Sequence, residues 1–173
     1  NFRSMSSRFP IILVGLPGAG KTTVGRLLAK RLNVDFLDID EKIEQDTGKT
    51  ISKIFAENGE KHFRDLEVDT ICALLNSKSV LSPGGGAVTN PAIRKIFKNY
   101  PVVWLKVSST CAAGRVGIAD SRPLLTGDPL AKLEKLYAER RPFYEEVSRW
   151  QVSTDGLAAE EVVDEIIRNF EEA

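Results

Sequence analysis

The chain has 173 residues, 42% apolar and 28% charged, which is the balance of one folded globular domain and not of a disordered chain. Its 24 Lys and Arg are matched by 24 Asp and Glu, so the formal net charge is zero. This argues against a basic nucleic-acid-binding domain and gives no support for an anionic membrane surface as partner; no apolar run approaches the roughly 20 residues that span a bilayer.

In chain order, residues 1–10 read as an extension without the pattern of a secretory signal. Asn1–Ser4 look like a remnant ahead of a natural start at Met5, a cut from a longer precursor being the alternative. An apolar strand at Ile11–Gly15 is followed by a glycine-rich turn and an amphipathic helix, Lys21–Leu32. A second strand, Asp35–Asp38, leads to helices at Asp40–Gln45, Ile51–Glu57 and Glu60–Leu75. Strand three is Val80–Ser82, then a glycine run, then a helix at Pro91–Phe97. Strand four, Val102–Val107, precedes a short helix at Cys111–Val116 and the longest loop, Gly117–Asp128, whose length suits an active-site lid spanning about residues 112–127. A long helix at Pro129–Val147, a strand at Trp150–Ser153 and a helix at Ala158–Phe170 complete the chain. Strands alternating with helices predict an α/β domain around a parallel sheet, with the continuous apolar first and fourth strands at its centre. Cys72 and Cys111 read as small core hydrophobes of a protein kept in a reducing compartment, not as a disulfide or metal site.

Gly15-Leu16-Pro17-Gly18-Ala19-Gly20-Lys21-Thr22 fits G-x-x-x-x-G-K-[ST] between a strand and a helix, the context that motif requires. Glycines let backbone N–H groups turn inward on a phosphate, and the helix N-terminus adds its dipole to the same anion. Lys21 can reach the β- and γ-phosphates and the Thr22 hydroxyl can bind Mg²⁺. The pattern predicts binding of a nucleoside triphosphate.

Several residues point to what receives the phosphoryl group. If the segment Asp38-Ile39-Asp40 is extended, its two carboxylates face the same side at the strand's carboxyl end, one for the Mg²⁺ shell and one for an acceptor hydroxyl. The alternative is that Asp40 caps the next helix. Gly84-Gly85-Gly86 after strand three would expose backbone N–H groups and leave room for a ligand, or form a plain turn. Arg64, beside Phe63, is a candidate fork for a substrate carboxylate, or else a surface partner of Glu60 and Glu67. His62 reads as a solvated helix residue. Arg140 falls on the apolar stripe of its helix with Leu136 and Tyr144, where a cation needs an anionic partner, while Arg141 reads as the solvent-facing neighbour; Pro142 is expected to kink the helix there. Arg122, in the long loop, could close over the transferring phosphate, and Arg115 could stack on a flat base.

Taken together, these motifs resemble shikimate kinase from about Ile11 to Phe170: GLPGAGKT (15–22), DID (38–40), FR (63–64) with Glu67, SPGGGAV (82–88), RPLL (122–125) and R-x-P-x-Y (140–144). The resemblance implies a three-layer P-loop kinase fold, like that of nucleoside monophosphate kinases, with a five-stranded parallel sheet and a lid. It implies ATP-dependent phosphorylation of the 3-hydroxyl of shikimate, with ATP and Mg²⁺. By the same resemblance Gly18, Ala19, Gly20, Lys21, Thr22, Thr23, Arg115 and Asp155 hold the nucleotide, and Thr22 and Asp38 the metal. Asp40, Phe55, Phe63, Arg64, Gly84, Gly85, Gly86, Arg122 and Arg140 contact shikimate, and Asp40, Lys21 and Arg122 serve catalysis. A monomer in a bacterial cytoplasm is expected, with a plastid form as the alternative. Another small hydroxy acid such as gluconate, or nucleotide binding without catalysis, are the rival functions.

Overall fold

The computed structural model describes residues 8–116 and 128–172. Its strands are β1 (Ile11–Val14), β2 (Asp35–Asp38), β3 (Ser79–Ser82), β4 (Val102–Lys106) and β5 (Trp150–Ser153), all parallel, in the order β2-β3-β1-β4-β5. Between and after them lie α1 (Lys21–Leu32), α2 (Ile39–Thr47), α3 (Ile51–Leu74), a 3₁₀ turn (Ala87–Thr89), α4 (Pro91–Phe97), α5 (Ser109–Val116), α6 (Pro129–Val147) and α7 (Ala159–Glu172). Because β1 lies between β3 and β4, all four of its residues are buried, as the unbroken apolar run Ile-Ile-Leu-Val requires.

The sheet is covered on both faces. Neighbours in register share a face, so Leu13 sides with Val103 and Val14 with Trp104. Helix α1 lies on the Leu13 face, where Gly25 touches Leu13 and Phe36. Helix α6 lies on the other, where Tyr144 packs its ring 5.5 Å from Trp104. Helix α7 covers α1 and β5 through Val162, Val163, Ile166 and Phe170. This order places the carboxyl ends of β1, β2 and β3 side by side, at the edge where ligands bind in open α/β sheets.

Helix α6 runs from Pro129 to Val147 with Pro142 inside it, and the carbonyl that loses its partner there belongs to exposed Ala138 and can take water. Cys72 is exposed, one position round the helix from buried Ile71, and Cys111 is half-buried, so neither is a core residue. Residues 112–116 of the expected lid lie in α5, where the sequence also places a helix, and 117–127, with Arg122, lie outside the described residues. The break expected between Glu57 and Glu60 falls at Gly59, whose φ of 84° interrupts α3. Among the described residues no helix is long and apolar enough to cross a membrane.

Candidate functional site

The loop between β1 and α1 is shaped by its glycines. Gly20 precedes α1 with φ 89°, a left-handed conformation that other residues adopt only with strain. Gly15 leaves room for β4: a methyl group there would lie 2.7 Å from the Leu105 carbonyl. Lys21 curls across the loop, its Nζ donating to the Gly15 carbonyl at 2.6 Å and the Leu16 carbonyl at 3.1 Å. Thr22 and Thr23, in the first turn of α1, are exposed. Arg115 of α5 donates to the Gly18 carbonyl at 2.9 Å and to Oγ1 and the carbonyl of Thr154 at 3.3 and 3.2 Å. Its guanidinium therefore ties the loop to the end of β5. Asp155 accepts from the Ser108 N–H at 3.0 Å, which draws its carboxyl below the ordinary carboxylate range, and it lines a shallow depression of about 340 Å³ with Lys106, Ser109 and Tyr137.

The two acids after β2 are not held as sequence alternation implied. Only Asp38 is extended; α2 begins at Ile39, and the helix cap is Asp38, whose Oδ1 accepts from the Glu41 N–H at 3.0 Å. Asp40 is thus neither strand nor cap but lies in the first helical turn. Its Oδ1 is buried without a hydrogen-bond partner among the described residues. Burial, then the nearby Asp38 and Glu44 carboxylates, push its carboxyl up to about 6, against the pull of Lys21 and Arg64.

Gly84, Gly85 and Gly86 bring the acceptor side together. A methyl at Gly84 would lie 3.0 Å from Asp40 Oδ2. One at Gly85 would lie 2.8 Å from Arg140 Nη1 and 3.6 Å from the Gly15 carbonyl of the phosphate loop. One at Gly86 would lie 2.7 Å from Arg64 Nη2 and 3.4 Å from Arg140 Nη2. Two guanidinium groups and a carboxylate therefore meet on one glycine run that abuts the phosphate loop. Arg140 is buried and makes no ion pair among the described residues, whereas exposed Arg141 pairs with Glu145 at 2.9 Å. Arg64 is half-buried and makes both ion pairs of the alternative reading, with exposed Glu60 at 3.6 Å and with Glu67, but the second partner draws it inward. Its Nη1 donates to Glu67 Oε1 at 3.0 Å, and Glu67 is fully buried. Burial drives that carboxyl up to about 7 even though Arg64 and Arg140 oppose the rise. Phe55 and Phe63 stack with centroids 4.9 Å apart beside Arg64, forming an apolar wall. His62 is exposed, as expected.

In the sequence Glu67 reads as a surface partner of Arg64 and as part of a motif, yet Phe63, Glu67 and Ile71 are spaced four apart and all buried, a periodicity that marks an inward-facing acid. Arg94 of α4 was missed. It donates to the Val88 carbonyl at 2.8 Å, pairs with Glu146 at 3.0 Å and lies 4.2 Å over the Phe143 ring, contacts too far apart in sequence to leave a local signal.

The family model described as "Shikimate kinase" matches residues 17–171. A shikimate kinase of Thermobifida fusca is 46% identical over 167 residues, covering 96% of this chain and 97% of the relative. One of Corynebacterium diphtheriae is 44% identical over 158 residues, covering 91% of each. Among solved structures, the shikimate kinase of Acinetobacter baumannii in complex with shikimate superposes with a TM-score of 0.89 at 38% identity, covering 98% of this chain and 97% of that one. The Aquifex aeolicus enzyme gives 0.81 at 34% identity, covering 93% and 95%. With a family match across most of its length and this architecture around a phosphate loop, the chain belongs to the shikimate kinase family.

Proposed function

We propose that this protein transfers the γ-phosphoryl group of ATP to the 3-hydroxyl of shikimate, giving shikimate 3-phosphate and ADP on the route to chorismate and the aromatic amino acids. The observation that carries the reading is the convergence of Arg64, Arg140 and Asp40 on Gly84–Gly86, in contact distance of the phosphate loop. Shikimate offers one carboxylate and three hydroxyls. Two forked cations suit the carboxylate, and the unpartnered Asp40 Oδ1 suits a hydroxyl. Arg140, buried and without an ion pair among the described residues, gains the anion that a desolvated cation requires.

In this reading Asp40 accepts the proton of the attacking hydroxyl and orients it in line with the phosphoryl group. Gly18–Thr23 cradle the phosphates, and Lys21 moves from its loop carbonyls to phosphate oxygens when they arrive, spreading positive charge over the transition state. Phe55 and Phe63 wall the ring of the acceptor. Arg115 and Asp155 hold the far side of the nucleotide, Arg115 by fixing Gly18 to Thr154. Mg²⁺ is usually held by one or two protein oxygens plus phosphates and water, a donor set that a hydroxyl and a carboxylate beside the phosphate loop can supply. Thr22 and Asp38 would hold it, and it would neutralise charge on the β- and γ-phosphates. The bacterial sources of the relatives support a bacterial enzyme working where ATP is made available, in the cytoplasm.

The test is a coupled ADP-release assay with ATP and Mg²⁺. ADP should appear with shikimate and stay at the background rate with gluconate or no acceptor. Equal rates with both acids would refute the assignment, and tight ATP binding without turnover would mark a non-catalytic relative.

A further inference from the structure

Beyond the two arginines, we infer that Tyr144 is a positioning residue that acts through Arg140 to set the geometry of the acceptor-carboxylate clamp. This rests on the reading that Arg140 holds that carboxylate. Tyr144 is fully buried, and its ring packs on Trp104 of β4, so the phenol has one defined position. Its hydroxyl donates to the Gly85 carbonyl at 3.2 Å, and Arg140, one helical turn earlier on α6, brings its guanidinium to the same glycine. The same Arg140 lies against the positions a methyl would take at Gly85 and Gly86. The hydroxyl is thus the link between the glycine run and the cation. In the proposed arrangement the hydroxyl takes one N–H of the guanidinium and so fixes the plane in which the remaining N–H groups face the ligand.

Arg140 makes no ion pair among the described residues, and Glu67 acts on it only at a distance, so a neutral acceptor at a fixed point is what aligns its guanidinium. A carboxylate in place of the phenol would compete with the substrate for the same cation. A phenol, whose proton burial makes harder to lose, satisfies Arg140 without neutralising it. The far end of the run is fastened separately, since Arg94 joins the Val88 carbonyl to Glu146 and Phe143 of α6. Removing the Tyr144 hydroxyl therefore leaves the loop attached and frees chiefly the guanidinium.

The test is a double-mutant cycle on Tyr144→Phe and Arg140→Ala, read as KM for shikimate and for ATP. Losing a hydrogen bond to a charged group predicts a rise of about tenfold in shikimate KM for Tyr144→Phe, with ATP KM within about twofold of the parent. In the Arg140→Ala background the Tyr144→Phe change should add less than about twofold, because the group through which it acts is gone. An unchanged shikimate KM in Tyr144→Phe overturns the proposal while Arg140→Ala still reports on the clamp. So does an equal rise in both backgrounds, which would mean a general structural role. If Arg140→Ala itself leaves shikimate KM unchanged, the clamp reading falls and the positioning role with it. Should Arg140→Ala fail to fold, Arg140→Lys completes the cycle, since one ammonium cannot reproduce a planar fork between Tyr144 and the glycine run.

Discussion

Replacing Asp40 with Asn should stabilise the protein while abolishing most turnover. Folding moves the Asp40 carboxyl from about 3.8 to about 6, chiefly by burial and then by Asp38 and Glu44. For an acid raised in this way the folded state prefers the proton. The favourable contribution is complete below the unfolded value and is lost as pH rises through the folded one. Each pKa unit is worth about 1.36 kcal/mol, so the ionised Asp40 destabilises the protein by about 3 kcal/mol at pH 8 and by about half that at pH 5. Asn has the same shape as the protonated acid and no charge, so Asp40→Asn should gain about 2–3 kcal/mol at pH 8 and correspondingly less at pH 5. Urea unfolding of the ligand-free protein at the two pH values measures this, with the m-value unchanged as a check that only stability moved. The same variant should lose most of its turnover and keep its affinity for ATP. A variant no more stable than the parent at pH 8, or a gain that does not shrink toward pH 5, would refute the claim that desolvation dominates at Asp40.

Since Asp40 must be ionised to accept a proton, kcat/KM for shikimate should fall about tenfold per pH unit below about pH 6, and a profile flat to pH 5 would count against it. Gly86→Ala should fold normally, because its methyl would meet the mobile ends of Arg64 and Arg140, but it should raise shikimate KM about tenfold with ATP KM unaltered; equal rises in the two constants would contradict the placement. Gly25→Ala sets a methyl into the Phe36 ring and should cost about 1–3 kcal/mol in chemical denaturation with both KM values unchanged. Glu67→Gln should resemble the parent at pH 6, where Glu67 is mostly protonated, and bind shikimate progressively worse above pH 7, where the parent carries a full charge against Arg64; a penalty independent of pH would show that the ionised form has no part in holding Arg64.

The order of elements was legible because each strand and helix carries its own period, and the phosphate loop because its glycines and Lys21 act within a few residues. The acceptor site was legible only as a list of residues. Phe63, Arg64 and Glu67 are on α3, the glycines follow β3 and Arg140 is on α6, so their meeting depends on strand order. Where alternation was used across an element boundary it failed. Asp38 is the last strand residue and the cap of α2, so period two ends there and Asp40 obeys helical geometry. Arg94 left no sign because its partners, Val88 and Glu146, belong to other elements.

A net charge of zero excludes a broad polyanion surface but not a charged cleft, and the cleft here is itself close to balanced. Lys21, Arg64 and Arg140 stand against Asp38, Asp40 and Glu67. The raised values of Asp40 and Glu67 show that burial outweighs these attractions even so, and the acids are held at a cost to stability. Three cations alone would attract phosphate and carboxylate equally well at either subsite. Placing Asp40 beside Gly84 makes one end of the run hostile to anions and receptive to a hydroxyl, while Gly86, between two guanidinium groups, is left as the position that welcomes a carboxylate. On the proposed function the acceptor would then lie in one direction, with a hydroxyl at Asp40 next to the phosphate loop. Direction, more than affinity, is what the buried acids contribute, and this is why their removal should raise stability and lower turnover together.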